Sequence, residues 1–151
     1  MSQIKVTPAQ ADDKAQWLPL FEGYREFYRQ PADPAVAERV WDWIMDPVHP
    51  TRCLLARDAS GTVFGLAHYR ELPRPLSGTV AGFLDDLFVV PEARGSGVAE
   101  ALIEAVAAEG AERGWSWLRW FTAEDNYRAR GFYDRIAALT PWKTYQRDIG
   151  L

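Results

Sequence analysis

Residues 87–100 read Leu87-Phe-Val-Val-Pro-Glu-Ala-Arg-Gly-Ser-Gly-Val-Ala-Glu100. The apolar run before the proline predicts the end of a buried strand, and the residues after Gly97 predict a helix. The glycines between them let the backbone turn tightly and leave its amides unobstructed. Because these amides come at a helix N-terminus, where partial positive charge gathers, the stretch predicts a site for a phosphate or pyrophosphate.

Three known phosphate-binding patterns can be compared with this stretch. The P-loop needs a Gly-Lys-Ser or Gly-Lys-Thr end, and residues 87–100 contain no lysine. The dinucleotide fingerprint needs Gly or Ala at its sixth position, and counting from Gly95 that position is Glu100. The pattern that survives is Arg-x-x-Gly-x-Ala, from Arg94 to Ala99. A glycine-rich turn without any ligand is the alternative.

The chain around this stretch shows hydrophobic periodicity and turn residues that predict the element order β-α-α-β-β-β-α-β-α-β. The strands are predicted at residues 3–7, 51–57, 62–71, 79–90, 115–121 and 141–149. The helices are predicted before Pro31, after Asp33, and at residues 97–113 and 126–137. Strand–helix–strand units imply a partly parallel sheet, and the central strands can form hairpins. We expect an α/β fold in a single domain, residues 1–151, with a mixed six- to seven-stranded sheet and helices on both faces.

Composition limits the possible partners of the chain. Its 151 residues, 48% hydrophobic and 25% charged, are typical of one globular domain. The net charge is −4, and Lys and Arg are spread evenly, which argues against nucleic acid as a partner. The apolar runs are too short to span a bilayer and the N-terminus lacks a signal pattern, so we expect a cytoplasmic protein without membrane association. One cysteine and two distant histidines predict no metal site.

The motif from Arg94 to Ala99, after a strand ending Leu-Phe-Val-Val-Pro, resembles the acetyl-CoA signature of the GNAT superfamily of N-acyltransferases. Residues 126–133, Asn-Tyr-Arg-Ala-Arg-Gly-Phe-Tyr, resemble the Asn-x-x-Ala-x-x-x-Tyr segment of that family. The predicted element order matches the family's fold, so the resemblance covers nearly the whole chain. It implies an N-acetyltransferase that uses acetyl-CoA as co-substrate, with direct attack of an amine, no acyl-enzyme and no metal.

The resemblance also implies which residues bind the cofactor. The amides of the turn would hold the CoA pyrophosphate, and these residues are Arg94, Gly95, Ser96, Gly97, Val98 and Ala99. The strand edge that would diverge from its neighbour and pair with pantetheine consists of Leu87, Phe88 and Val89. In the second motif, Asn126 would bind pantetheine or a water, and Ala129 would leave room for the cofactor. Tyr133 would return a proton to the departing thiolate; its alternative role is packing of the last helix.

Two adjacent carboxylates interrupt an otherwise apolar strand. Asp85 and Asp86 stand among apolar residues, and carboxylates are rarely placed there without a purpose or a partner. Residues 83–89, Phe-Leu-Asp-Asp-Leu-Phe-Val, resemble a strand of diamine and polyamine acetyltransferases, whose acids bind the amine and remove its proton through water. Because neighbouring strand residues point to opposite faces, we expect one acid at the acceptor and favour Asp85. A salt-bridged carboxylate, partnered for instance by Arg119, is the alternative.

The family resemblance places the acceptor pocket at the first two helices. Here that region offers Tyr24, Phe27 and Tyr28, whose alternative role is core packing. An aromatic wall with carboxylates suits a small cationic amine, such as a diamine or polyamine. The alternative acceptors are an amino acid, an aminoglycoside-like compound, or a protein lysine or N-terminal amine. A CoA-binding module without turnover and a protein-interaction domain are the alternatives to an enzyme. We expect His68 to pack or hydrogen-bond locally, and a homodimer is possible through edge strands.

Overall fold

The computed structural model of the chain describes residues 3–150. They fall into two compact units, with the boundary between Trp120 and Phe121. The first unit contains five strands: β1 (Lys5–Pro8), β2 (Arg52–Arg57), β3 (Val63–Arg74), β4 (Thr79–Val89) and β5 (Leu118–Trp120). It also contains three helices: α1 (Lys14–Phe27), α2 (Pro34–Met45) and α3 (Val98–Arg113). The second unit contains helix α4 (Tyr127–Ile136).

The strands form one mixed sheet in the order β1-β2-β3-β4-β5. The first four strands pair antiparallel with their neighbours, and β5 pairs parallel to β4. The predicted α/β class is therefore confirmed, whereas the predicted six to seven strands is wrong, because residues 3–150 form five. No helix within these residues is long and apolar enough to cross a membrane.

Residues 141–149 are the predicted strand that does not form. Trp142 and Tyr145 in this segment are 72% and 93% exposed. Strand propensity reflects the fit of side chains to a pleated, half-buried surface, and a strand also needs a hydrogen-bonded neighbour. In the described part of the chain this segment has neither a half-buried surface to fit nor a hydrogen-bonded neighbouring strand, so its aromatic pattern does not produce a strand.

Helices cover both faces of the sheet, as predicted. On one face, Trp17 and Phe21 of α1 belong to the same buried cluster as Leu66 of β3. On the other face, a Cβ atom built on Gly65 would lie 2.9 Å from the side chain of Val98 on α3. Because residues 65 and 66 are consecutive on β3, their opposite contacts show that α1 and α3 lie on opposite faces.

Candidate active site

The turn from β4 into α3 presents a row of backbone amides. Gly95 and Gly97 have left-handed φ values of 80° and 87°, and Gly97 is the N-cap of α3. The N–H of Ala101 donates to the carbonyl of Gly97 at 3.0 Å, so the N–H groups of Val98 and Ala99 have no acceptor within the helix. A Cβ atom built on either glycine meets no atom within 4 Å. The turn can therefore take an anionic group against its amides.

Arg94 and Ser96 hold this turn in place. The Nε of Arg94 donates to the carbonyl of Val89 at 3.0 Å, and the Ser96 hydroxyl donates to the carbonyl three residues before it. The Arg94 guanidinium also lies 5.9 Å from the ring centroid of Phe27 and 5.5 Å from that of Phe88. Arg94 thus connects the turn to the predicted acceptor region on α1.

Strand β4 has an open edge at the end that leads into this turn. β5 pairs with β4 only from Gly82 to Leu84, whereas β3 stays paired with β4 up to Val89. From Asp85 onward, the other edge of β4 therefore has no neighbouring strand within residues 3–150. Unpaired N–H and C=O groups at a strand edge can bind an extended ligand as an added strand. This edge includes residues 87–89, for which the sequence predicts such pairing.

Asp86 is the carboxylate with the more buried surroundings. Its Oδ2 lies 2.8 Å from Nδ1 of the buried His68, and its side chain is 26% exposed. The hydroxyl of Tyr24 on α1 interacts with the same carboxylate. Burial acts to raise the pKa of Asp86, but its interactions with His68 and the hydrogen bond from Tyr24 outweigh burial and hold this pKa below its ordinary value. Asp86 is therefore a carboxylate anion at neutral pH.

Asp85 has a more exposed environment and a different partner. Its Oδ2 accepts a hydrogen bond from Nε of Arg70 at 2.9 Å. Burial and the charge of Asp86 raise the pKa of Asp85 above its ordinary value, although Arg70 acts in the opposite direction. The salt-bridged alternative thus applies to Asp85, but with Arg70 rather than Arg119, whose guanidinium lies 4.0 Å from the ring centroid of Trp117.

A bulge in β4 brings both carboxylates to one face of the sheet. The register shifts after the His68–Asp86 pair, which leaves Asp85 as an extra residue on β4. His68 and Arg70 are two residues apart on β3 and point to the same face, and they contact Asp86 and Asp85 respectively. The expectation that the two acids point to opposite faces is therefore wrong. No group of three or more His, Cys, Asp or Glu in residues 3–150 is arranged to hold a metal ion.

Aromatic side chains of α1 lie beside Asp86. The ring centroids of Tyr24 and Tyr28 are 5.1 Å apart, those of Phe27 and Tyr28 are also 5.1 Å apart, and Tyr24 contacts the ring of Phe88. Burial and the charge of Asp86 raise the pKa of both tyrosines, so their hydroxyls keep their protons at neutral pH. Phe27 and Tyr28 are 54% and 45% exposed, so core packing does not explain them.

Three further predicted residues lie in the second unit. Asn126 is the N-cap of α4, and its Oδ1 accepts a hydrogen bond from the N–H of Ala129 at 3.2 Å. Tyr133 is half-buried, with its ring centroid 5.4 Å from that of Phe132. Asn126 and Tyr133 are seven residues apart, about two helical turns, and therefore lie on the same side of the helix. Their roles toward the cofactor stay predictions.

The structure adds Trp17 to the surroundings of Asp86, a residue that the sequence did not single out for the site. Nε1 of Trp17 donates a hydrogen bond to Nε2 of His68 at 3.0 Å. Both side chains are fully buried. His68 packs in the core, as expected, but both of its hydrogen-bond partners are distant in the sequence rather than local, and its link to Asp86 was not foreseen. One feature of the sequence could have indicated this. His68 is two residues from the buried Leu66, so both side chains point to the same face of β3, and a buried imidazole needs hydrogen-bond partners.

Comparison with known proteins identifies the family. The family model described as "Acetyltransferase (GNAT) family" matches residues 17–138. The uncharacterized N-acetyltransferase YhfO of Bacillus subtilis (strain 168) is 31% identical over 97% of this chain and 93% of its own length. The D-amino-acid N-acetyltransferase HPA3 of Saccharomyces cerevisiae is 29% identical over 97% of this chain and 91% of its own length. The aminoglycoside N-acetyltransferase AAC(6')-Iy, solved in complex with CoA, has the same fold, with a TM-score of 0.81 and 19% identity over 99% of this chain and 97% of its own. The chain therefore belongs to the GNAT family, and it is an acyltransferase enzyme.

Proposed function

We propose that this enzyme transfers an acetyl group from acetyl-CoA to a primary amine on a small, positively charged molecule. The observation that carries the proposal is the Asp86 carboxylate, which is ionised, partly open to solvent, and next to the rings of Tyr24 and Tyr28. An anion beside aromatic faces suits a cation through ion pairing and cation–π contacts. Asp86 also lies on the open edge of β4, directly before residues 87–89, where the acyl donor is expected.

The residues of β4 and the following turn fit the acyl donor. The open edge at residues 87–89 offers backbone groups to an extended pantetheine, and the amides of residues 94–99 suit a pyrophosphate. An N–H on that edge, from Leu87 or Phe88, would polarise the thioester carbonyl. The CoA complex of AAC(6')-Iy supports CoA as the carrier. Bound acetyl-CoA would supply the activated acetyl group, and the proposed reaction uses no metal.

The amine must lose a proton before it can attack the thioester. An alkylammonium group has an ordinary pKa of about 10.4, so its neutral form is scarce at neutral pH. In the proposed reaction, Asp86 binds the ammonium group and takes up its proton, directly or through a water molecule. Asp85, on the same face, is the second carboxylate of the site. The amine nitrogen then bonds to the acetyl carbon and releases its second proton to water, and the carbon–sulfur bond breaks to give the amide and a thiolate.

The departing thiolate needs a proton, and the proposal assigns this step to Tyr133. A phenol, with an ordinary pKa of about 10, is protonated at neutral pH and can donate to a thiolate. The assignment rests on the match of residues 126–133 to the second family motif. In the same proposal, Asn126 binds pantetheine or a water, and Ala129 leaves room for the cofactor.

An amine-panel assay tests the acceptor. Release of free thiol from acetyl-CoA would be followed with a diamine, a D-amino acid, an L-amino acid and a lysine-containing peptide. We expect the highest kcat/KM with the diamine. Fastest release with the D-amino acid would instead favour an amino-acid acceptor, which the relative HPA3 makes the second candidate. Absence of release with every amine would contradict the proposed acceptor class and favour a CoA-binding module.

Replacing Gly97 with alanine is expected to remove most of the stabilisation by acetyl-CoA. Gly97 has a φ of 87°, which L residues rarely adopt, so alanine would shift the amides at the start of α3. At about 100 times its Kd, acetyl-CoA should stabilise the wild-type protein by about 2.7 kcal/mol. Thermal unfolding with and without acetyl-CoA measures this difference in Tm.

The matched control is Gly61→Ala. Gly61 has a φ of 91° in the turn between β2 and β3, so alanine imposes a similar backbone strain away from α3. We expect acetyl-CoA to raise the Tm of this variant as much as that of the wild type. Equal shifts in the Gly97 variant and the wild type would remove the turn from the proposed cofactor site.

We also propose that the enzyme forms a homodimer. The sheet ends in the short edge strand β5, and residues 141–149 have a strand-like sequence but no neighbouring strand within residues 3–150. A segment with exposed aromatic residues and unpaired backbone groups is suited to pairing with a second copy. Light scattering after gel filtration gives the mass in solution, and a single-chain mass at every concentration would contradict the dimer.

A further inference from the structure

A chain of hydrogen bonds runs from the core to the carboxylate of the proposed site. Nε1 of Trp17 lies 3.0 Å from Nε2 of His68, and Nδ1 of His68 lies 2.8 Å from Oδ2 of Asp86. Trp17 has no exposed surface, and His68 is 2% exposed. This chain of hydrogen bonds therefore begins in the buried core and ends at Asp86, the member of the three that reaches solvent.

The chemistry of the three groups fixes the direction of both hydrogen bonds. An indole N–H can only donate, so Nε2 of His68 must accept and cannot carry a proton. The remaining ring proton then lies on Nδ1, from which it is donated to Asp86. His68 is thus neutral, in the Nδ1–H tautomer, and the His68–Asp86 pair carries one negative charge.

A different state of His68 would change what Asp86 offers to a substrate. A protonated Nε2 would point its hydrogen at the indole hydrogen of Trp17, two donors facing each other in a buried site. A doubly protonated imidazolium would also cancel the charge of Asp86. A neutral pair would attract a cationic amine less than an anionic pair does.

We propose that Trp17 is a positioning residue, which keeps His68 in the neutral Nδ1–H tautomer so that Asp86 remains an oriented, uncompensated anion for the acceptor amine. The inference rests on the proposed function for its kinetic consequence, but the tautomer itself can be measured without turnover. Trp17 touches neither reacting group in this proposal and acts only through His68.

Several charged and titratable groups lie around the His68–Asp86 pair. They are Tyr24 on α1, Tyr28 at the C-cap of α1, Cys53 on β2, Arg70 on β3 and Asp85 on β4. Burial raises the pKa of Cys53, Tyr24 and Tyr28, so all three keep their protons at neutral pH. Arg70 and Asp85 are paired with each other. The groups that also act on Asp86 are therefore the neutral hydroxyl of Tyr24, which hydrogen-bonds to it, and the Asp85 carboxylate, whose charge is paired with Arg70.

Nuclear magnetic resonance of the imidazole nitrogens tests the tautomer in the folded protein. The chain has two histidines, and His49→Gln leaves His68 as the only imidazole. In the folded protein at neutral pH we expect a protonated Nδ1 and an unprotonated Nε2. An imidazolium or an Nε2–H tautomer would overturn the proposal, whether or not the enzyme acetylates an amine.

Trp17→Phe, with Trp41→Phe as matched control, tests the role of the indole. Trp41 is also buried and its ring centroid lies 5.0 Å from that of Trp17, but within residues 3–150 it is not part of the chain to Asp86. We expect Trp17→Phe to free Nε2 of His68 to carry a proton, which the imidazole nitrogen signals report. The KM for a cationic amine should then rise roughly threefold to tenfold over that of the wild type.

The two variants separate this role from simple core packing. A packing defect alone should raise KM or lower Tm similarly in both variants and leave the imidazole nitrogen signals of His68 unchanged. Wild-type imidazole signals and a wild-type KM in Trp17→Phe would overturn the role of Trp17. If that variant does not fold, the tautomer of His68 in the wild-type protein still decides the proposal. Failure of every amine as a substrate would contradict the proposed function but would leave the imidazole result intact.

Discussion

Replacing Asp86 with asparagine is expected to lower kcat/KM for a cationic primary amine roughly hundredfold or more. The variant loses the negative charge that would bind the ammonium group and the base that would take its proton. Its structure should survive, because the asparagine carbonyl oxygen can still accept the hydrogen bond that His68 now gives to Asp86. Steady-state kinetics over a range of pH, with Tm as a check on folding, measure the effect.

Asp85→Asn is the matched control on the same strand. Because Arg70 already pairs with Asp85, loss of this second charge should change kcat/KM by about fivefold or less. A large loss in the Asp85 variant beside a nearly unchanged Asp86 variant would reverse the roles of the two acids. Such a result would agree with the preference for Asp85 that the sequence alone suggests. Near-wild-type kinetics in both variants would remove the carboxylates from the mechanism.

The parts of the site that local sequence determines could be predicted. The turn at residues 94–99 joins a strand to a helix through two glycines, and local rules for strands, glycines and helix N-termini apply to such a segment. Gly95 and Gly97 indeed take the left-handed conformation, and Gly97 is the N-cap of α3. The cap of α4 is a similar case, since Asn126 has a side chain suited to that position.

The parts that depend on pairing between distant segments could not be predicted. Whether residues 141–149 form a strand depends on a neighbour with which to pair, and propensity carries no information about that neighbour. The bulge at Asp85 is a property of the register between β3 and β4, so alternation along β4 alone gives the wrong face for one acid.

The hydrogen-bond chain to Asp86 joins residues that are far apart in the sequence. His68 and Asp86 are 18 positions apart, and Trp17 and His68 are 51 positions apart. Periodicity can predict that Trp17 and His68 are buried, but not that their nitrogen atoms meet. The surroundings that distinguish Asp86 from Asp85 are built from these long-range contacts. For that reason the sequence could predict that the acidic pair belongs to the site, but not which carboxylate acts on the amine.

Tyr133→Phe is expected to lower kcat by roughly a hundredfold while leaving the affinity for CoA nearly unchanged. The substitution removes one hydroxyl group and keeps the ring that packs beside Phe132. If this hydroxyl protonates the departing thiolate, its loss affects the transition state and not the bound ground state. Tyr127→Phe on the same helix is the control, because Tyr127 is 75% exposed and lies outside the motif positions, and it should keep wild-type kcat.

The leaving group provides a sharper form of this test. An aryl thioester releases a more stable thiolate, which departs without needing a proton. With such an acetyl donor, the difference in rate between Tyr133→Phe and wild type should shrink to a few-fold. If Tyr133 only supports the helix, the substitution should lower the rate by the same factor with either donor. A deficit that persists with the aryl thioester, or a variant with unchanged kcat for acetyl-CoA, would contradict the role of Tyr133 as the acid. In the proposed mechanism Asp86 removes a proton from the amine and Tyr133 donates one to the thiolate. Therefore only the rate deficit of the Tyr133 variant should depend on the acidity of the thiol.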